Sequence, residues 1–315
     1  MSKPKSHHFV PQMLLRWFAA PEDPKRIWQL RVDDKSGPVR RAISKTAVVT
    51  HYYTHYRDRP RKEDDLFWEA VLSELEGRAA ESLRQLEADP EHIRGPAQAL
   101  VLLQLLRTPL GQAQIAEQAE AERRRVFGAA DDNVWMRWVL EHTRRVPTLG
   151  EWTGMREAAA AARAGVDHPL LKADATATLD EMMTVLTSSG FGERLRDGDW
   201  NLLHAEPGQF VIGDEPVTYS GQSEPARPIW AQGELPEQLT MPVSPTRAIE
   251  VRRAPRPPGA LREKDISEIN LRAAGWATRF IYGPDPDYLE RVRALWLARG
   301  GRTPPPIDAG RRRRR

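Results

Sequence analysis

No cysteine occurs in the 315 residues. That excludes disulfides, thiolate nucleophiles and cysteine-based zinc sites, so any metal would have to be held by histidine and carboxylate ligands. Long apolar runs are missing too. The stretch from Ala97 to Leu106 is broken by Gln98 and Gln104 and is about half the ~20 residues a membrane span needs. The basic start is followed by a short apolar segment, Met13 to Ala20, that contains Arg16; this makes a poor secretion signal, and a cytoplasmic location is expected. No Gly-x-x-x-x-Gly-Lys loop, Gly-x-Gly-x-x-Gly turn or Gly-x-Ser-x-Gly elbow is present. P-loop nucleotide hydrolysis, Rossmann cofactor use and α/β-hydrolase chemistry therefore lose support.

What is present is unevenly distributed. The five arginines Arg311 to Arg315 more than account for the formal charge of +3. Residues 1–62 carry fourteen Lys/Arg against five Asp/Glu, so a basic N-terminal lobe precedes an acidic body. Such an asymmetry suits either an anion-binding face or a complementary intramolecular interface. The ten tryptophans fit core and interface positions better than base-stacking platforms, since several fall at helical apolar spacings.

Arg26 to Val32 alternates apolar and polar residues as a half-buried strand does, Asp33 to Pro38 reads as a turn, and Val39 to Ile43 returns as a second strand. Thr46 to Tyr56 reads as a short strand or an irregular turn. From Asp64 to Asp89 the apolar spacing becomes helical, with Leu72, Leu75, Ala79, Leu83 and Leu86 on one side. Ala97 to Arg107 is apolar nearly all round, which marks a covered helix that Pro109 limits. Leu110–Val126, Asn133–Arg144, Trp152–Arg163 and Asp174–Leu195 continue the helical pattern. At Trp200 the period returns toward two. Trp200–Ala205 and Gln209–Ile212 look like neighbouring strands joined by Glu206-Pro207-Gly208, residues 218–238 read as a polar surface loop, and Ala248–Arg252 as a strand. Asp265–Trp276 and Tyr288–Arg299 are helical, with Thr278–Tyr282 a strand between them.

Short strands near both ends are marginal alone and must pair or pack with each other. The fold class expected is α+β: a central helical bundle with a small mixed or antiparallel sheet built from N-terminal and C-terminal strands. One domain, residues 1–302, is expected, with the basic lobe 1–62, a helical body 63–197 and a strand and helix part 198–302. The Pro/Arg-rich tail 303–315 reads as disordered.

Ser6-His7-His8-Phe9-Val10-Pro11-Gln12 puts two imidazoles and an amide beside a proline stop, ahead of an apolar run. With this opening the chain resembles a bacterial family of unknown function, DUF4238, whose hallmark is His-His-x-Val-Pro-Gln followed by Leu and Phe, here Leu15 and Phe18. The likeness continues through Tyr53 (preceded by His51-Tyr52), the glutamate-rich stretch Glu69 to Glu76, and Arg107-Thr108-Pro109. It then takes in Trp200, Phe210 to Pro216 with Gly213-Asp214-Glu215-Pro216, Pro242 to Pro245, and Asn270. The resemblance covers roughly residues 6–283. It implies site positions, Gln12 and Asn270 among them, and no activity.

His7 and His8 are adjacent, so only one enters a given site; that imidazole is a general base or metal ligand, or else the pair is a hydrogen-bonded anchor. Asp214 and Glu215 follow an apolar strand and precede Pro216, a place for a metal or a base, or an Asx-type turn satisfying backbone amides. Arg107 ends the buried helix and could clamp phosphate or pair with a core carboxylate. His51 and His55 could start a two-histidine metal site but lack a third ligand. Asp214 with Glu250-Val251-Arg252 loosely resembles a restriction-type nuclease arrangement with arginine in place of lysine; the alternative is an exposed, charge-alternating strand face.

The leading expectation is a phosphodiesterase or nuclease-like hydrolase acting on nucleic acid or another phosphate-bearing substrate, an activity that would suit bacterial defence. His7, His8, Gln12, Arg107, Asp214, Glu215 and Asn270 would form the site. His8, Asp214 and Glu215 would hold a divalent cation, magnesium or manganese rather than zinc. The alternative is a non-catalytic binding module in which the basic lobe docks an anionic partner and the His-His motif is a structural latch. Neither expectation involves a membrane.

Overall fold

A computed structural model describes residues 6–50, 73–74, 76–81, 83, 94–129, 132–143, 145–172, 190–206, 208–221, 228–256 and 261–301. His51, His55, Glu69 and the tail 303–315 lie outside the described residues. The elements are β1 (Ser6–His8), α1 (Gln12–Trp17), β2 (Arg26–Arg31), β3 (Val39–Ala42), β4 (Val48–Thr50), α2 (Arg94–Arg107), α3 (Pro109–Gly128), α4 (Asp132–Thr143), α5 (Leu149–Ala164) and α6 (Phe191–Asp197). After them come β5 (Asp199–His204), β6 (Ile212–Gly213), β7 (Thr218–Ser220), β8 (Gln238–Ser244), β9 (Arg247–Arg252), α7 (Glu263–Trp276), β10 (Phe280–Gly283) and α8 (Pro286–Ala298). Residues 73–83 are helical wherever they are described. No helix among the described residues is long and apolar enough to cross a membrane. The fold is α+β.

The chain forms two compact units, one from residues 1–53, 61–111 and 184–315, the other from residues 54–60 and 112–183. In the first, β2 and β3 form a hairpin and β10 adds antiparallel to the other side of β2, with β6 beyond it, giving the order β3-β2-β10-β6. Strands from residues 26–42 and 212–283 thus complete one sheet, since neither pair would be stable alone. Period-two alternation sends Leu30 and Val32 to one face, where they meet Val211, just before β6, and Leu271, Ala274, Ile281, Leu289 and Trp296 from α7, β10 and α8. The second sheet is antiparallel throughout, in the order β5-β9-β8-β7, and β1 pairs with β4 as a separate ribbon.

Several details differ from the sequence reading. Asp174–Leu195 does not run on as one helix, because Gly190 takes a left-handed φ of 65° and α6 begins only at Phe191. Trp200–Ala205 and Gln209–Ile212 are not neighbouring strands: β5 pairs with β9, while β6 belongs to the other sheet. The segment between them crosses from sheet to sheet, with the Phe210 N–H donating to the Pro245 carbonyl and the Val211 N–H to Asn270. Nor is 218–238 a surface loop throughout, because Thr218–Ser220 is the edge strand β7 and Ile229 and Trp230 are buried. Strand β8 runs through Pro242, which the sequence hides. Its neighbour β7 reaches no further along it than Thr240, so Pro242 falls where that side has no strand to receive an N–H.

The second unit is helical in its described part. A capping box starts α5, with Thr148 Oγ1 accepting from Glu151 N–H and the Glu151 carboxylate accepting from Thr148 N–H; Gly165 ends it with a left-handed φ of 69°. Val126, Phe127, Val139, Met155, Ala158, Ala159 and Leu171 form its core.

Between α2 and α3 lies an elbow of one residue, Thr108. Pro109 fits the first turn of α3, where its missing N–H is not needed. A Cβ on Gly111 would overlap the Leu105 carbonyl oxygen, so only glycine fits at this point of the elbow. Gly111→Ala is expected to cost about 3 kcal/mol, at the upper end for overpacking. Gly95→Ala, whose Cβ would meet open space in the first turn of α2, should be neutral or stabilising by up to about 1 kcal/mol. Denaturant unfolding of both variants checks the contrast; equal effects would contradict it.

Candidate functional site

The side chains of His8 and Gln12 in the opening motif are tied down by hydrogen bonds. His8 Nδ1 lies 3.0 Å from the Thr46 carbonyl and Nε2 lies 3.0 Å from Gln12 Nε2. That pairing assigns a neutral ring, with Nδ1–H donating to Thr46 and Nε2 accepting from the amide. Gln12 Oε1 in turn accepts from Arg16 at 3.1 Å. His7 sits in β1 opposite Val49, and its side chain is outside the described residues.

Arg107 is buried at the end of α2. Its guanidinium donates to the Glu76 carboxylate and to the backbone carbonyl of His8, so it joins the opening ribbon to the helical elbow. The other side of the elbow is held by Glu215. Its carboxylate accepts from Leu110 N–H at 3.0 Å and from the Thr108 hydroxyl, while Thr108 Oγ1 accepts from Gly111 N–H at 3.3 Å. Thr108 and Glu215 together satisfy amides that the first turn of α3 leaves without helical partners.

Asp214 faces the other way. Its Oδ1 accepts from Thr278 N–H at 2.8 Å, and Oδ2 accepts from the Thr278 hydroxyl at 2.9 Å, Arg279 N–H at 2.9 Å and Phe280 N–H at 3.0 Å. Its own N–H donates to the Phe280 carbonyl at 2.9 Å. The carboxylate is 1% exposed and serves as a cradle for the entry into β10. Burial pushes the Asp214 carboxyl up to about 6 against the opposing pull of these donors. Burial and the neighbouring Asp214 push Glu215 well above the ordinary carboxylic range.

Asn270 completes the arrangement from α7. Its Oδ1 accepts from Val211 N–H at 2.9 Å, and its Nδ2 donates to the Gln209 carbonyl at 2.8 Å and to the Tyr288 hydroxyl at 2.9 Å. It fixes the strand that delivers Asp214. The structure therefore joins His8, Gln12, Arg107, Glu215, Asp214 and Asn270 through a run of backbone and side-chain hydrogen bonds. It does not gather them around one open hollow.

Among the described residues, no three His, Asp or Glu side chains are grouped so as to hold a metal ion. His8, Asp214 and Glu215 each have other partners. Glu250 is not on an exposed strand face: it is fully buried, bound by Arg256, and belongs to the second sheet, while Asp214 follows β6 of the first. The burial of the Glu250 face follows from the cover that residues after β9 supply, which strand alternation does not reveal.

A family model described as "Protein of unknown function (DUF4238)" matches residues 6–287. The chain belongs to this family. No curated protein and no solved structure matches it. Several partners of the DUF4238 motif residues carried no signal of their own in the sequence. Thr278 lies 64 positions from Asp214 and looks like any strand threonine. Gln104 and Tyr282 are buried with polar atoms that have no hydrogen-bond partner among the described residues, and in the sequence they pass as interruptions of apolar segments.

Asp214 and Glu215 both bind a proton more tightly in the folded chain than at their ordinary values of 3.8 and 4.5. Their contribution to stability is complete below about pH 4 and is lost as pH rises through the raised values. Glu215→Gln retains an acceptor for Leu110 and removes one charge. The fall in Tm between about pH 5 and about pH 8 should be smaller in this variant than in the parent; parallel curves would contradict the assignment.

Proposed function

We propose that this protein is a non-catalytic binding module for an anionic macromolecular partner, with the His-His motif and the Asp-Glu-Pro turn acting as its internal latch. The observation that carries the reading is the saturation of Asp214: four donors converge on one buried carboxylate, which leaves it poorly placed to bind a cation or move a proton. Arg107, the candidate phosphate clamp, is likewise committed to Glu76 and His8.

Docking would use the basic edge of the first sheet. Part of the lobe's charge is neutralised internally, since Arg31 pairs with Asp33 and Asp34, and Arg40 with Asp23. Lys25, Arg26, Arg41 and Lys45 are exposed around the β2 and β3 ends, where Arg26 lies opposite Ala42 and Ile27 opposite Arg41. Four solvated cations around the ends of this hairpin attract phosphate backbones through counterion release, and Arg41, on the edge strand β3, also discourages edge-to-edge pairing.

The test is binding of a fluorescent oligonucleotide by the full chain. Charge reversal of all four cations to Glu should abolish binding without moving Tm by more than a few degrees, and the parent's affinity should fall steeply with salt. Asp214→Asn should lower Tm and spare the affinity of whatever remains folded. Cleavage of the oligonucleotide in magnesium or manganese that Asp214→Asn abolishes at unchanged Tm would overturn the proposal in favour of a phosphodiesterase.

A further inference from the structure

The second sheet carries a polar face that the latch does not use. Strand register sets Asp199, Arg252, Gln238 and Ser220 in one row across its four strands, and Asn201, Glu250, Thr240 and Thr218 in the next. Residues in register on neighbouring strands, and residues two apart along one strand, share a side. Thr218, Thr240 and Glu250 are buried, so this is an interior polar surface.

Three guanidinium groups meet there over a single buried carboxylate. Arg256 Nη1 donates to both oxygens of Glu250, at 2.9 and 2.8 Å, and Arg252 Nη1 stands 3.6 Å from the same carboxylate. From α7, Arg272 donates to neutral acceptors, Ser220 Oγ at 2.9 Å and Gln238 Oε1 at 2.5 Å. Gln238 also donates to Glu250, so the groups form one network.

Two carboxylates stand against these three guanidiniums: Glu250, and Asp199, which lies opposite Arg252 and accepts only neutral donors, the backbone N–H of Arg256 and the Asn201 amide. Glu268 pairs with Arg299, so one positive charge is left over. Burial lowers the affinity of Arg272 for its proton, which Glu250 and Glu268 only partly oppose and Arg252 worsens. The Nε–H groups of Arg252 and Arg272 are both buried without an acceptor among the described residues. Buried charge of one sign is costly unless something compensates it, and planar guanidinium donors match tetrahedral oxyanions. The side chains of Arg252 and Arg256 remain 26% and 22% exposed, so the cluster has an approach from solvent.

We propose that Arg252, Arg256 and Arg272, braced by Glu250, Gln238 and Ser220, form a binding site for a small phosphate-bearing anion. The site is separate from the basic edge at β2 and β3, and its existence does not rest on the docking reading above. The partly exposed guanidiniums of Arg252 and Arg256 would meet the anion, Arg256 held in place by Glu250, with the charge of Arg272 fixed behind them by Ser220 and Gln238.

Thermal denaturation and calorimetric titration of the full chain with inorganic pyrophosphate test this directly. The parent should bind, with Tm rising by roughly 3–6 °C at about a hundredfold excess over Kd. Arg252→Gln and Arg272→Gln should each fold with nearly the parental Tm in the absence of pyrophosphate and weaken binding by roughly ten- to hundredfold. Reversal of Lys25, Arg26, Arg41 and Lys45 should leave pyrophosphate binding intact. No binding by the parent would overturn the proposal; so would binding that survives both arginine variants or disappears with the edge reversal.

Discussion

The carboxylate of Asp214 fixes how distant parts of the chain meet. It receives three consecutive backbone amides, those of Thr278, Arg279 and Phe280, and thereby sets where β10 begins. Strand β10 is the central connection of the first sheet, bonded to N-terminal β2 on one side and to β6 on the other. Glu215, the next residue, caps α3 through Leu110. Two adjacent carboxylates thus fix the entry into β10 and cap the first turn of α3 at once. Removing the first would leave several buried donors without an acceptor, each costing about 1–3 kcal/mol.

The same logic explains why residues with catalytic chemistry can do structural work. A histidine, an arginine and two acids in a protein interior suggest a reaction when only their types are known. Their partners give a different account. His8 is bridged between a carbonyl and an amide, Arg107 between a carbonyl and a carboxylate, and Asp214 is filled by donors. Burial is the leading cause of the raised pKa of both acids, and in Glu215 the neighbouring Asp214 adds to it. An excess of positive charge lies instead on the second sheet, where Arg252 and Arg256 share Glu250 and Arg272 is bound to neutral acceptors.

Much of the fold was legible because periodicity reports burial. Alternation across Arg26 to Val32 identified β2, the all-round apolar run identified α2, and Pro109 marked the elbow. The marginal stability of short strands also pointed to pairing between the chain's two ends. Strands β7 and β8 were not legible: one has three residues, and the other contains Pro242. The motif residues were legible as a set through the family resemblance, but their roles were not. A role depends on partners such as Thr278, Leu110 and Thr46, which become neighbours only through long-range folding. Arg272 was hidden for a related reason, since one arginine on an apolar helix looks like a solvent-facing residue until the polar sheet face beneath it is known.

The central claim is that the Asp-Glu-Pro turn is a buried structural junction. Native-state hydrogen exchange resolved at Leu110, Thr278, Arg279 and Phe280 tests it most directly. Protection of these amides close to that of the β10 and β2 ladder in the parent, falling together at Thr278, Arg279 and Phe280 in Asp214→Ala while the core of α5 is unchanged, is the result expected. Rapid exchange of the same amides in the parent, as for a solvent-open site, would contradict it.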